Sequence, residues 1–248
     1  MLMNKWVSIA TPNPTAPTRL FCFPYAGGGA SAYREWHRWL PQVEVAAVQL
    51  PGRENRLGER PIAAMDRLLD LLVEALDPLL RQRPFAFFGH SMGARIAYAL
   101  TRRLEQDGAP LPSWLFASGS PAPWLRIPEA AWAEPDDRLL AWLADLGGTP
   151  PEVLDSPDLM QLALPVIRAD LTLGATWQYP YTTASSVPVH AFAATDDDYA
   201  TPQRARAWER ETTGPCRVSV FPGGHFFLHE HTAQILRLID EDLLSVAR

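Results

Sequence analysis

The chain has 248 residues, 47% of them hydrophobic and 20% charged, with a formal net charge of −6. This is the make-up of one ordinary globular domain, long enough for a large core. With no basic block and no aromatic–basic interleaving, it excludes nucleic acid as an expected partner.

No apolar run reaches membrane-spanning length, because Pro, Gly or charge interrupts each one. The first residues, Met1-Leu2-Met3-Asn4-Lys5-Trp6, lack the apolar stretch of a secretion signal, so a cytoplasmic location is expected. Cys22 and Cys216 are expected as two buried reduced thiols rather than a disulfide.

In chain order, residues 1–17 are rich in proline and read as an extended lead-in. A short apolar strand, Arg19-Leu20-Phe21-Cys22-Phe23, runs into the glycine-rich Pro24-Tyr25-Ala26-Gly27-Gly28-Gly29. A helix is expected over residues 31–40, then a buried strand over 43–50, which Pro51-Gly52 stops. Residues 65–76 carry an apolar face at helical spacing. Next comes Phe85-Ala86-Phe87-Phe88-Gly89-His90-Ser91-Met92-Gly93, followed by the helix-forming Ala94-Arg95-Ile96-Ala97. Trp114-Leu115-Phe116-Ala117-Ser118 is another buried strand. Strands alternating with helices at this spacing indicate a mostly parallel central sheet with helices on both faces.

The alternation breaks over residues 121–180, which offer short helical runs punctuated by proline and no convincing strand. Residues 136–146 have acids at the start and Gly147-Gly148 at the end, the caps of a helix. Ser156-Pro157 opens another, with serine as cap, and Pro165 is expected to kink or divide it. The rhythm resumes with strands near 187–192 and 217–221, a helix near 202–212 and a last helix near 232–246. The expected layout is a core of residues 1–120 and 181–248 interrupted by a helical insertion, 121–180.

Gly89-His90-Ser91-Met92-Gly93 lies between a strand and a helix, the setting in which G-x-S-x-G acts as a nucleophile elbow. A plain Gly-Ser turn joining two elements is the competing reading. A serine needs a base, and the elbow's partners follow it in the order Asp or Glu, then His. His225, in Phe221-Pro222-Gly223-Gly224-His225, is late in the chain, follows a strand and has glycines that free the backbone before it. His37 comes too early, His90 flanks the serine and is expected to point elsewhere, and His190 lies in a strand. His229 and His231 sit past the loop. The acid should follow the strand ending near Phe192, where Asp196, Asp197 and Asp198 are adjacent and spacing does not choose among them. Its role would be to hold the histidine tautomer; the plainer reading is that these acids open the next helix. The two oxyanion donors are expected to be the backbone amides of Met92 and Ala26. No metal or cofactor is expected, since His225 and His229 have neither an HExxH pattern nor a third ligand. The Gly27-x-Gly29-x-x-Ala32 run loosely matches a dinucleotide fingerprint, yet Gln49-Leu50-Pro51 stands where that fingerprint wants an acid.

Several motifs follow one another along the chain: Phe23-Pro24-Tyr25-Ala26-Gly27-Gly28, Gln49-Leu50-Pro51-Gly52-Arg53-Glu54, Gly89-His90-Ser91-Met92-Gly93, Arg168-Ala169-Asp170 and Phe221-Pro222-Gly223-Gly224-His225-Phe226-Phe227. Together they resemble the type II thioesterases that accompany polyketide and nonribosomal peptide synthetases. The resemblance implies an α/β-hydrolase fold with an inserted helical lid. It also implies hydrolysis of acyl groups from the phosphopantetheine arm of acyl or peptidyl carrier proteins. It makes Ser91 the nucleophile and His225 the base, and places the acid at Asp197, although Ala194-Thr195 replaces the family's Gly-Asp. The lid would be residues 121–180, with Trp124, Trp132, Trp142 and Trp177 among its apolar side chains; most are expected to be core, and some to line an acyl channel. A monomer is expected. The alternatives are an esterase of free small molecules or acyl-CoA, and a carrier-binding module without activity; ester turnover and binding without turnover would reveal them.

Overall fold

Among the described residues, runs of apolar residues bounded by Gly and Pro form a seven-stranded sheet, and the helices between the strands cover both its faces. The computed structural model describes residues 4–125 and 133–246, so expectations for Met1, Leu2, Met3 and Trp132 lie outside the described residues. The strands are β1 (Val7–Ser8), β2 (Thr18–Phe23), β3 (Val43–Val48), β4 (Phe85–His90), β5 (Leu115–Ser118), β6 (Val189–Ala194) and β7 (Cys216–Phe221). Their order across the sheet is β1-β3-β2-β4-β5-β6-β7, with only β1 antiparallel to its neighbour. This is a mostly parallel α/β sheet of α/β-hydrolase type.

Alternation along β2 divides the core in two. Phe21 and Phe23 join the layer beneath α1 (Met65–Leu80) and α2 (Met92–Gln106), while Leu20 and Cys22 join the layer beneath α8 (Thr232–Val246). In α1, Leu68, Leu72, Leu76 and Leu80 recur every four residues and are all buried. Each such side chain contributes roughly 1.5–3 kcal/mol by leaving water.

Chain order explains where a site can form. From β2 the chain passes to β3 on one side and later returns to β4 on the other. The carboxyl ends of β2 and β4 therefore border a crevice at a topological switch point, the usual ligand position in open α/β sheets.

Some elements differ from the sequence reading. Residues 31–40 form two 3₁₀ turns, Ala30–Tyr33 and Trp36–Arg38, rather than one α-helix. Ala30, Tyr33 and Trp36 are the buried anchors, and a spacing of three suits the 3₁₀ repeat. The helix near 202–212 is α6 (Pro202–Arg206) followed by a 3₁₀ turn, Ala207–Glu211. That turn carries Trp208 into the core, where its Nε1 donates to the Ser120 carbonyl at 2.9 Å. Cys22 and Cys216 are both free, but Cys216 is only half-buried because β7 is an edge strand.

Among the described residues, 121–180 contain helices and turns but no strand. They are α3 (Asp136–Leu146), α4 (Pro151–Leu154) and α5 (Pro157–Thr176). Gly147 ends α3 at φ 79°, a left-handed cap, and the Ser156 side chain caps α5 by accepting from the Leu159 amide. Pro165 does not divide α5, which continues past it to Thr176; a proline removes one hydrogen bond, and packing on both sides retains the rest. Leu139, Leu143, Met160 and Ile167 form a small separate core for these helices. Elsewhere α7 (Phe227–Glu230) follows β7.

Candidate active site

Ser91 sits between β4 and α2 with φ 54° and ψ −117°, a conformation that non-glycine residues rarely adopt. Strain of this kind costs about 1–3 kcal/mol and persists only where the surroundings impose it. The flanking glycines show how they do. A Cβ on Gly89 would lie 2.2 Å from the Gly93 backbone, and one on Gly93 would lie 2.1 Å from the Phe23 carbonyl oxygen. Strand, turn and helix are thus in backbone contact, and only glycine fits. Gly93→Ala is expected to lower stability by at least about 1–3 kcal/mol, because backbone cannot move aside as a side chain can. A denaturation midpoint equal to that of the parent chain would contradict this packing.

Ser91 is the N-cap of α2, so Met92 is the first residue of that helix and its amide lacks an intrahelical acceptor. The Ser91 amide itself donates to Ser118 O at 2.8 Å, which ties the elbow to the end of β5.

β6 and β7 pair in parallel up to Ala194 and Phe221, so the loops that follow them emerge side by side. The Asp196 amide donates to Gly223 O at 2.9 Å and joins the two loops. Across this junction His225 Nδ1 lies 2.8 Å from Asp197 Oδ2. The other oxygen of Asp197 accepts from the amides of Tyr199 and Ala200, both at 2.9 Å. Of the three adjacent acids, Asp197 is buried at 3% exposure whereas Asp196 and Asp198 are exposed. Burial works against the charged Asp197, but His225 and the two amides outweigh it and hold the carboxyl below the usual range. A charged carboxylate only accepts, so Nδ1 is the donor in this bond.

His90, the residue before Ser91, turns its side chain to Ser118 and His225. Its ring centroid is 5.2 Å from that of His225, and its Nδ1 is 3.0 Å from Ser118 Oγ. Burial, then repulsion from His225 and His229, pushes its pKa well below the ordinary value, so it packs as a neutral ring. A second trio of the same residue types also exists. His190 Nδ1 lies 2.5 Å from Asp242 of α8, and its Nε2 lies 2.9 Å from Ser219 of β7. Ser219 lies within a strand, paired with Phe192, rather than at a helix N-terminus, and the trio ties β6, β7 and α8 together.

Ser91, Met92, Ala26 and His225 all line one cavity of about 550 Å³. The far wall is apolar and comes from α3, α4 and α5 through Trp142, Leu143, Val153, Ala163, Ile167 and Leu171. That size and lining suit a largely apolar small-molecule group with its reacting end at the polar floor. Among the other apolar residues of that segment, Leu159 and Leu162 are exposed, and Leu139 and Met160 are buried in the helices' own core.

Sequence reasoning assigned no role to Arg53, Asp170 or Arg95. Arg53 Nη2 lies 2.7 Å from Asp170 Oδ1, a pair buried on both sides, and Asp170 Oδ2 accepts from the Gly27 amide at 2.8 Å. A signal was available: Asp170 falls on the buried face of α5 with Val166, Ile167 and Leu173, where a lone carboxylate demands partners. Gln49 is explained as well, since its Oε1 accepts from the Ala30 amide and its Nε2 donates to Arg53 O. Arg95 is buried in α2, lines the cavity and donates to Pro123 O. Among the described residues, no group of three or more His, Cys, Asp or Glu side chains could hold a metal ion, and no helix is long and apolar enough to cross a membrane.

Residues 18–243 match the thioesterase domain family. The gramicidin S biosynthesis protein GrsT of Aneurinibacillus migulanus is 38% identical over 246 residues, 98% of this chain and 96% of that protein. The linear gramicidin dehydrogenase LgrE of Brevibacillus parabrevis is 38% identical over 247 residues, 98% of this chain and 94% of that one. Among solved structures, the RedJ thioesterase of the prodiginine pathway in Streptomyces coelicolor superposes with a TM-score of 0.88 at 38% identity, covering 95% of each chain. The type II thioesterase BorB of the borrelidin cluster gives 0.87 at 40% identity, covering 96% of this chain and 97% of that one. A dinucleotide site would need the glycine-rich loop to open an α-helix whose N-terminus receives the pyrophosphate. Here that loop opens a four-residue 3₁₀ turn, and Gln49 occupies the place of the ribose-binding acid.

Proposed function

The chain belongs to the thioesterase domain family and hydrolyses thioesters; from that premise we propose that it is an editing enzyme that removes acyl groups from the phosphopantetheine arms of acyl or peptidyl carrier proteins. The catalytic set in this reading is Ser91, His225 and Asp197, with the amides of Met92 and Ala26 as oxyanion donors. The observation that carries it is the buried Asp197–His225 hydrogen bond, with His225 opening onto the same cavity as a strained serine at a helix N-terminus.

Ser91 Oγ attacks the thioester carbonyl while His225 Nε2 takes its proton. The carbonyl oxygen becomes an oxyanion, held by two amides that are each worth about 2.7–4 kcal/mol in such sites. The carbon–sulfur bond breaks, and the imidazolium returns the proton to the departing thiol. Water then attacks the acyl-serine, losing a proton to His225, and a second collapse frees the acid and restores Ser91. Asp197 stays ionised throughout and stabilises the imidazolium.

In this reading α3, α4 and α5 are a lid whose apolar faces wall the acyl channel, and movement of the helices would gate it. A monomer meets these requirements, since all the named groups come from one chain.

The test is a panel of carrier proteins loaded with acyl groups of varied length, run beside the same acyl groups on free pantetheine and on p-nitrophenol. Remote contacts with a carrier add binding energy usable in the transition state. Carrier thioesters should therefore show kcat/KM at least about tenfold above the free pantetheine thioesters. Equal values across the panel would favour an esterase of free small molecules.

A further inference from the structure

The loop that supplies Ala26 rests on a part of the molecule outside the sheet. After β2, the Gly27 amide donates to Asp170 of α5 at 2.8 Å. Gly27 has φ 76°, and a Cβ there would lie 2.8 Å from the Ile167 side chain, so α5 also packs directly on it. Asp170 is itself held by Arg53, which arrives from the loop after β3 and bonds it at 2.7 Å. Both side chains are at least nine-tenths buried. Two segments distant in sequence therefore meet at one peptide group, the one joining Ala26 to Gly27, and a third braces them through Asp170.

That peptide is planar and trans, so fixing its N–H fixes the whole plane up to the Ala26 Cα, the atom that bears the oxyanion amide on its other side. A glycine at positive φ would otherwise let it rotate easily. We infer that Asp170, braced by Arg53, is a positioning residue for thioester hydrolysis: it clamps the Ala26–Gly27 peptide so that the oxyanion loop is aligned only while α5 is seated. The helix that walls the acyl channel through Ile167 and Leu171 then also sets the loop that stabilises the transition state. Lifting α5 would open the channel and unmake the oxyanion site together. The inference rests on the serine mechanism above.

The experiment uses the full chain and the variant Asp170→Asn. Removing an oxyanion donor outright costs about 10²–10³ in kcat; loosening one should cost about 10–100-fold in kcat, with KM within about twofold. Two inhibitors separate alignment from simple damage. To a trifluoromethyl ketone analogue Ser91 adds its oxygen, its proton passes to His225, and the ketone oxygen becomes an oxyanion. A non-hydrolysable thioether analogue forms no oxyanion. Affinity for the ketone should fall by the same factor as kcat/KM, while thioether affinity stays within about twofold. A folded Asp170→Asn protein with wild-type kcat, or with equal losses for both analogues, overturns the inference. Ser91→Ala is the control: if it keeps wild-type turnover, the serine mechanism fails, whereas an inactive Ser91→Ala beside a fully active Asp170→Asn removes this inference alone. Should Asp170→Asn not fold, hydrogen exchange on the wild-type chain decides. The Gly27 amide should exchange in step with α5 amides near Leu171; free exchange at Gly27 beside protected α5 amides overturns the clamp.

Discussion

Ser91→Ala is expected to lower thioester hydrolysis about 10⁴–10⁶-fold while leaving the fold intact. In the proposed mechanism the size follows from what is removed: without Oγ no acyl-enzyme would form, leaving what the oxyanion donors and binding contribute with water as nucleophile. The fold should survive because alanine keeps the Cβ that serine already holds at φ 54°, so no new backbone strain arises. The Ser91 amide bond to Ser118 O does not involve the side chain. Steady-state hydrolysis of a loaded carrier, with thermal unfolding of both proteins, checks the two halves together. A rate within tenfold of wild type, in a protein of unchanged Tm, would remove Ser91 from the mechanism. Groups that act as one unit are strongly non-additive, so Ser91→Ala combined with His225→Ala should be little worse than Ser91→Ala alone.

What the sequence made legible was whatever is decided locally. The elbow is a nine-residue event in which two glycines, a serine and the adjoining strand and helix must coincide, and each can be read from its neighbours. The caps of α3 and α5 are similarly local, and the structure has Gly147 and Ser156 in those roles. Features that depend on distant pairing stayed hidden. Asp196, Asp197 and Asp198 are equivalent by spacing, and what separates them is the parallel register of β6 with β7 and the Asp196–Gly223 bond joining the loops. Arg53 and Asp170 are 117 positions apart, and nothing near either residue names the other. The 3₁₀ turns after β2 stand where one helix is expected, and Tyr33 is held there by its hydroxyl donating to Phe23 O, ten positions back and outside any helical repeat. The elements therefore follow from local pattern, whereas which carboxylate meets His225 and what supports the loop after β2 follow from packing.

Asp197→Asn should cost about 10⁴ in kcat although the substitution alters hardly any volume. In the parent chain one carboxylate oxygen accepts from the Tyr199 and Ala200 amides and the other accepts from His225 Nδ1. Asparagine has a single acceptor oxygen. Two backbone donors claim it more strongly than one ring nitrogen, which leaves the amide NH₂ facing Nδ1. The imidazole must then accept at Nδ1 and carry its proton on Nε2, the nitrogen that has to receive the serine proton. Asp196→Asn is the control and should stay within about threefold, because its side chain is exposed and its tie to Gly223 is through the backbone. Stability gives an independent reading. The folded-state pKa of Asp197 is depressed, so its charge stabilises the fold above the ordinary carboxylate value of about 3.9. That contribution disappears as the pH falls through the depressed value. The Tm difference between wild type and Asp197→Asn should accordingly be largest near neutral pH and shrink toward pH 3 and below. A difference that stays constant down to that pH would show that this carboxylate draws no stability from its charge, and an Asp197→Asn enzyme within tenfold of wild-type kcat would show that it does not orient the imidazole.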